Sequence, residues 1–374
     1  MSNFFQNIFG GGKSSFTSRT DTAVGIDIGA SSIKAVELRK KGGRAILETY
    51  GELSLGPYMD APVGSIANLS TEVLTKAIQD VFKETGIKSQ NVALSLPASS
   101  SLIFILELPG VITEDKIKDV VPLEARRYIP VPITEVSLDW WMIPRRDIVM
   151  EDEEEGKTSF EKTEVLVVAV RNDMMEKYRQ VFEATGMAGG FFEIEIFASM
   201  RASLGHNATT ELILDFGASK TKIAVIENGI IKRFHIISKG SFEITSNIAR
   251  ALDIPLAKAE QTKKEFGLTG LQTGLNRNVS EIAKLVTDYI ISETSDVIST
   301  YERKSNRVIS RVILTGGGSL LKGFMLSATE TFRTEVVFSN PFSKAEASAF
   351  IGSVLESVAP PFSVAMGLAL KKLQ

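Results

Sequence analysis

One short stretch occurs twice, and it limits the possible fold more than any other feature of the chain. Residues 24–38 read VGIDIGASSIKAVEL, and residues 212–226 read LILDFGASKTKIAVI. Asp27, Gly29, Ala30, Ser31 and Lys34 of the first copy recur 188 positions later as Asp215, Gly217, Ala218, Ser219 and Lys222. In both copies apolar residues run with period two on either side of a cluster of small residues, the pattern of two strands joined by a tight turn. A unit repeated in this way is a supersecondary element used twice, so the chain reads as two related halves.

Each copy extends into a third strand. The first turns at Lys41-Gly42-Gly43 into a strand over 44–54, and the second at Asn228-Gly229 into one over 230–237. Asn-Gly suits a two-residue hairpin turn, in which both positions take positive φ. A helical pattern follows each meander, over 70–85 and 241–252. Between the halves lie strand patterns at 91–97, 101–108, 136–143 and 164–170, and a helix over 114–128 that stops before Pro130 and Pro132. The acidic run at 151–155 reads as a solvated loop. Helices are expected over 174–185 and, after a break at Gly189-Gly190, over 192–204. The C-terminal part offers helices at 258–265 and 278–302, a buried strand at 312–314, a strand at 335–338 and a last helix at 363–372. These patterns divide the chain into an N-terminal segment and linker (1–22), a first domain (23–88 and 171–205), an insert (89–170) and a second domain (206–374).

At 374 residues the chain can build two sizeable cores. A net charge of −3 provides no basic face for nucleic acid. There is no cysteine, and His206 and His235 are the only histidines, so disulfides and thiolate metal sites are excluded and a Ser-His-Asp triad is disfavoured. No run reaches the ~18 apolar residues of a membrane span, and no secretory leader is evident; a cytoplasmic location is expected. Phe4, Phe5, Ile8 and Phe9 recur at helical spacing before Gly10-Gly11-Gly12, a face suited to a partner, a membrane surface or the protein's own body. Gly12-Lys13-Ser14 imitates the end of a P-loop, but Asn7 stands where that motif needs its first glycine.

The repeated turn carries the chemistry. A turn of small residues exposes backbone N–H groups that can cradle a phosphate. Gly29, Ala30, Ser31 and Ser32 offer this in the first copy, and Gly217, Ala218, Ser219 and Thr221 in the second, with hydroxyl donors among them and Lys34 as a positive charge. Asp27 and Asp215 end their strands beside the turns. Carboxylates next to phosphates repel them unless a cation intervenes, and Mg2+ prefers carboxylates, water and phosphate oxygens. The expectation is a clamp on a polyphosphate with Asp27 and Asp215 at the metal. Gly316, Gly317 and Gly318 follow a buried strand and let the backbone approach a flat base. Glu260 and Lys263 share a helix face at i, i+3 and can bracket a ribose, or form an ordinary exposed ion pair.

These elements, in this order, resemble the actin, heat-shock chaperone and sugar kinase superfamily. Asp27–Lys34 and Asp215–Lys222 match its two phosphate loops, Ile313–Gly318 its adenosine motif, and the helix reaching Arg201 its first connecting helix. The resemblance implies an α/β fold of actin-like ATPase type: two duplicated ribonuclease-H-like domains closing over ATP and Mg2+. The insert resembles the small subdomain of FtsA, and the run Leu123–Asp139 looks like the PilM family of type IV pilus assembly. That family resemblance implies an ATP-binding scaffold at the inner face of the cytoplasmic membrane. It implies capture of the cytoplasmic N-terminal tail of PilN in a groove between insert and first domain, contact with the pilus motor ATPase, and self-association. Glu124, Arg126, Arg127 and Tyr128 of the motif-bearing helix are candidate partner contacts. Glu195 is the candidate that positions a hydrolytic water, with Glu193 second; either can instead be a structural partner of Arg201. Lys239-Gly240-Ser241 carries one glycine where such proteins commonly have two. An FtsA-like division scaffold is the alternative, although those proteins add an amphipathic helix and this chain ends at Gln374. A small-molecule kinase of the same superfamily is a third reading, for which no acidic substrate-cleft motif is found.

Overall fold

The computed structural model describes residues 21–144, 162–205, 209–269 and 275–373. The aromatic N-terminal stretch, Gly12-Lys13-Ser14, the acidic run 151–155 and His206 lie outside the described residues.

The duplication in sequence is a duplication of topology. The first half forms a sheet from β1 (Thr22–Ile28), β2 (Ser32–Lys41), β3 (Arg44–Ser54), β4 (Asn91–Leu96) and β8 (Ala188–Ile194), in the order β3-β2-β1-β4-β8. The second uses β9 (Thr210–Phe216), β10 (Thr221–Glu227), β11 (Ile230–Ile237), β12 (Arg311–Thr315) and β13 (Glu335–Phe338), in the order β11-β10-β9-β12-β13. Each sheet is an antiparallel meander extended by two parallel strands. Parallel neighbours need crossovers. In the first half these pass through α1 (Thr71–Thr85) before β4, and through the insert and α3 (Asn172–Ala184) before β8; in the second they pass through α5 (Ser241–Leu252), α6 (Leu256–Phe266) and α7 (Leu275–Ser305) before β12, and through the helix 324–332 before β13. Register repeats as well: Asp27 lies opposite Lys34, and Asp215 opposite Lys222.

The insert is a three-stranded antiparallel sheet of β5 (Ser101–Pro109), β7 (Lys162–Arg171) and β6 (Val136–Met142), in the order β5-β7-β6. Its central strand β7 is apolar on both faces because both are covered. Val165, Val167 and Ala169 pack on Ile117, Val121 and Ala125 of α2 (Glu114–Ala125). Leu166, Val168 and Val170 join a core with Ile213, Ala224 and Ile226 of the second domain.

Three expectations change. Strand 91–96, assigned above to the insert, is β4 and belongs to the first domain's sheet, parallel to β1. A strand buried on both faces reads as an unbroken apolar run wherever it pairs, so periodicity could not place it. Residues 192–194 are strand, not helix, and α4 (Glu195–Ser203) starts only after them. Gly190 lies inside β8 and makes room for the Phe182 ring: a Cβ there would stand 2.0 Å from the ring's Cζ. The helix expected to reach 128 ends at Ala125. Pro122 inside it offers no N–H, and Arg127 and Tyr128 close tight turns onto the carbonyls of Glu124 and Ala125. Two short helices, α8 (Phe324–Phe332) and α9 (Gly352–Val358), had no counterpart in the sequence reading.

α4 and the last helix, α10 (Ser363–Leu373), pack closely together beneath the cleft. Gly367 permits the approach, since any side chain there would meet the Ala198 carbonyl oxygen at 1.9 Å. No single helix among the described residues is long and apolar enough to cross a membrane.

Candidate functional site

The two repeated turns face each other across a cleft of about 710 Å³ between the domains, within the usual size range of small-molecule sites. They close identically: the Gly29 N–H donates to the Ser32 carbonyl at 3.0 Å, and the Gly217 N–H to that of Lys220 at 3.1 Å. Their other carbonyls are tied back to the protein body. Ala30 and Ser31 accept from the N–H groups of Ala67 and Leu55, and Gly217 and Ala218 from those of Ser241 and Phe242 at the start of α5. With the carbonyls turned away, the amide edges of the turns suit an anion.

Gly29, Ala30, Ser31, Ser32 and Lys34 line the cleft, as do Gly217, Ala218 and Ser219 opposite, and Gly316, Gly317, Gly318, Glu260 and Lys263. Gly316 has φ +80°, and a Cβ on it would fall 2.4 Å from Asp215 Oδ1. Only glycine lets this loop pass the carboxylate. Thr221 is the exception among the expected phosphate donors. It is buried, does not line the cleft, and its hydroxyl donates to the Lys239 carbonyl at 2.9 Å. As the first residue of β10 it points to the other face of the sheet, an inversion that a one-residue change of register produces.

Glu260 and Lys263 are not an exposed pair. Their 2.6 Å ion pair is buried, and the Thr245 hydroxyl donates to Glu260 at 2.6 Å. Burial acts to raise the Glu260 pKa, but the Lys263 ammonium, the Thr245 hydroxyl and the nearby Lys264 together hold it below its ordinary value. Gly64 of the first domain lies against this carboxylate; a Cβ there would be 3.0 Å from Glu260 Cδ. The domains therefore meet at the outer end of the cleft.

The two aspartates differ. Asp27 is buried, accepts from the Ser95 hydroxyl at 3.0 Å and makes no ion pair among the described residues. Burial pushes its pKa up to about 6, against the pull of Lys34. A buried carboxylate with its charge so poorly compensated fits a divalent cation. Asp215 already holds the Lys222 ammonium at 2.8 Å. The same ammonium reaches Glu195 at 2.7 Å, and the other Glu195 oxygen accepts from the Ala98 N–H at 2.7 Å. Burial works against the charged form of Lys222, but the two carboxylates overcome it and raise its pKa. Glu193, the second water-positioning candidate, is fully buried. Arg201 binds it with two bonds of 2.7 and 2.8 Å, and Lys371 with a third of 2.9 Å. It is a structural anchor joining β8, α4 and α10.

The candidate partner residues sit away from the domain junction. Glu124, Arg126, Arg127 and Tyr128 follow or end α2, the outer layer of the insert. There Arg127 pairs with Glu124 at 2.9 Å, and Tyr128 stacks on Phe104 at 5.0 Å between ring centroids. A residue missed in sequence, Asp139 on β6, is 2% exposed and its Oδ2 has no hydrogen-bond partner among the described residues. Burial pushes its pKa up to about 7, against the Trp140 N–H and the Lys371 ammonium. A lone acidic residue in an apolar strand pattern was the available signal. Glu52 and Lys264 also line the cleft and had no motif to mark them.

Two domains of one topology, paired turns facing across a cleft and a small subdomain inserted in the first domain define the actin-like ATPase fold. Within that class the chain belongs to the family described as type IV pilus assembly protein PilM, whose model matches residues 25–373. Among solved structures, one titled a PilM–PilN type IV pilus biogenesis complex aligns with a TM-score of 0.78 at 22% identity, covering 96% of this chain and all of that one. The ethanolamine utilization protein EutJ of Carboxydothermus hydrogenoformans aligns with a TM-score of 0.52 at 16% identity, over 93% of this chain and 89% of that one. Two cell division proteins FtsA are similar in sequence. That of Neisseria meningitidis serogroup B is 26% identical over 228 residues, 55% of this chain and 53% of that protein, so the chain spans about half of it. That of Streptococcus pneumoniae serotype 2 is 21% identical over 347 residues, 83% of this chain and 74% of that protein.

Proposed function

We propose that this chain is an ATP-binding scaffold of the type IV pilus machine that captures the cytoplasmic N-terminal tail of PilN at the inner membrane. The observation that carries the nucleotide part is the cleft, in which two identically closed turns present their amide edges to one space. A polyphosphate lies between the turns, with the base against Gly316–Gly318, the ribose near Glu260 and Lys263, and Mg2+ held at Asp27. Membership of the PilM family and the fold shared with a PilM–PilN complex support PilN as the partner. The insert joins the second domain through a common apolar core, so domain closure over a nucleotide would move the surfaces flanking that junction. Capture of the tail in a groove between the insert and the first domain is a recognised way for an ordered surface to read a flexible segment.

The test is a calorimetric titration of a PilN N-terminal peptide into the full chain, with and without Mg-ATP. Saturable binding whose affinity depends on nucleotide is expected. No heat and no change in peptide anisotropy at saturating concentration would remove the pilus-scaffold reading. ATP affinity should fall in Asp27→Ala or Asp215→Ala, and unchanged affinity in both would remove the two-turn clamp.

A further inference from the structure

Both copies of the repeat place a lysine opposite the aspartate, yet the two ammonium groups go to different partners. Lys34 reaches the Ser32 hydroxyl at 2.7 Å and Glu52, on the neighbouring strand, at 3.2 Å. Lys222 turns inward and bridges Asp215 and Glu195. We propose that Lys222 is a built-in counter-cation of the cleft: it stands where a divalent metal would contact Asp215 and it holds Glu195, so nucleotide binds with little dependence on divalent metal.

This rests on the nucleotide reading above. Asp27, Asp215 and Glu195 all line the cleft, and Glu195 acts on Asp27 through space. Three carboxylates in a poorly hydrated site repel a polyphosphate unless positive charge is fixed among them. Lys222 meets that need from within the chain. Its side chain is only 13% exposed, its ammonium is bonded to both carboxylates, and its electrostatic influence reaches Asp27. A metal binding directly to Asp215 would have to push the ammonium aside, and breaking a buried, hydrogen-bonded charge pair is costly. The bridge has a second consequence. Both Glu195 oxygens are engaged, one by Lys222 and one by the Ala98 N–H, so this carboxylate is not free to take a proton from water. The first copy lacks such a bridge, which leaves Asp27 as the one aspartate of the repeat open to a cation.

The experiment is ATP and ADP titration into the full chain, in EDTA and in excess Mg2+, for the wild type and Lys222→Met. The wild type is expected to bind with affinities within about threefold of each other in the two conditions, less than 1 kcal/mol by the usual conversion. Lys222→Met is expected to lose at least about tenfold in EDTA and to regain it with Mg2+. A wild type that loses more than about tenfold in EDTA overturns the proposal while leaving nucleotide binding intact. A variant with the wild type's metal dependence also overturns it. A wild type that binds nucleotide in neither condition refutes the nucleotide reading itself. Should the variant fail to fold, the wild-type ratio still decides.

Discussion

Replacing Arg201 by methionine tests whether Glu193 is an anchor or a spare acid. Glu193 is fully buried and its carboxylate is compensated by two groups, the bidentate Arg201 guanidinium and the Lys371 ammonium. Arg201 also donates to the Gly367 carbonyl at 3.0 Å, so it ties α4 to α10. Methionine keeps much of the aliphatic volume and removes the charge. A buried pair broken on one side costs about 3–5 kcal/mol, because the remaining charge stays desolvated. Lys371 remains in place, so the lower end, about 3 kcal/mol, is expected. The control is Arg277→Met, which removes an i,i+4 pair to Glu281 whose side chains are 68% and 59% exposed; its loss should be about 0.5 kcal/mol or less. The assay is urea unfolding followed by circular dichroism, completed as a double-mutant cycle with Glu193→Leu, where a coupling energy above about 2 kcal/mol is expected. A loss for Arg201→Met no larger than the control's would refute the anchor. So would Glu193→Gln abolishing nucleotide binding while leaving the fold intact, since that would return Glu193 to the site.

Thr221→Val should leave nucleotide affinity within about threefold, because its hydroxyl serves the Lys239 carbonyl, and should cost about 1 kcal/mol of stability; a large loss of affinity would put the hydroxyl back in the cleft. Asp139 should make stability depend on pH. Its folded pKa, about 7, lies above the unfolded value of about 4, so its contribution is complete below the unfolded value and is lost as pH rises through 7. The advantage of Asp139→Asn over the wild type should therefore grow from about 1 kcal/mol near pH 5 to at most about 4 kcal/mol at pH 8, for a shift of roughly three units. Unfolding followed by the fluorescence of the adjacent Trp140 and Trp141 reads this directly, and a constant difference from pH 5 to 8 would refute it.

The comparison of sequence with structure is sharpest at the two copies of the repeat. Strand pairing is local, so period-two alternation and a cluster of small residues were enough to foretell both meanders, while the register that sets Asp27 opposite Lys34 and Asp215 opposite Lys222 came from the structure. β4 was harder, because an apolar run does not say which sheet it joins, and Gly190 looked like a break because the Phe182 ring that fills its space comes from another element.

What the sequence determined by itself was the duplicated architecture, the two turns and the residue types available to them, since each depends on interactions within a few residues. Tertiary structure decided what those residues do. Lys34 and Lys222 occupy equivalent positions, yet one faces Glu52 on a neighbouring strand while the other is caught between Asp215 and Glu195, which is brought in by α4. Thr221 starts β10 at the edge of the turn but looks away from the cleft, and Glu193 is committed to Arg201 and Lys371. The sense of a side chain's charge and hydrogen bonds depends on partners distant in the chain. For that reason the repeat foretold a symmetric clamp, whereas in the packed molecule the two turns facing the cleft differ in the partners of their lysines.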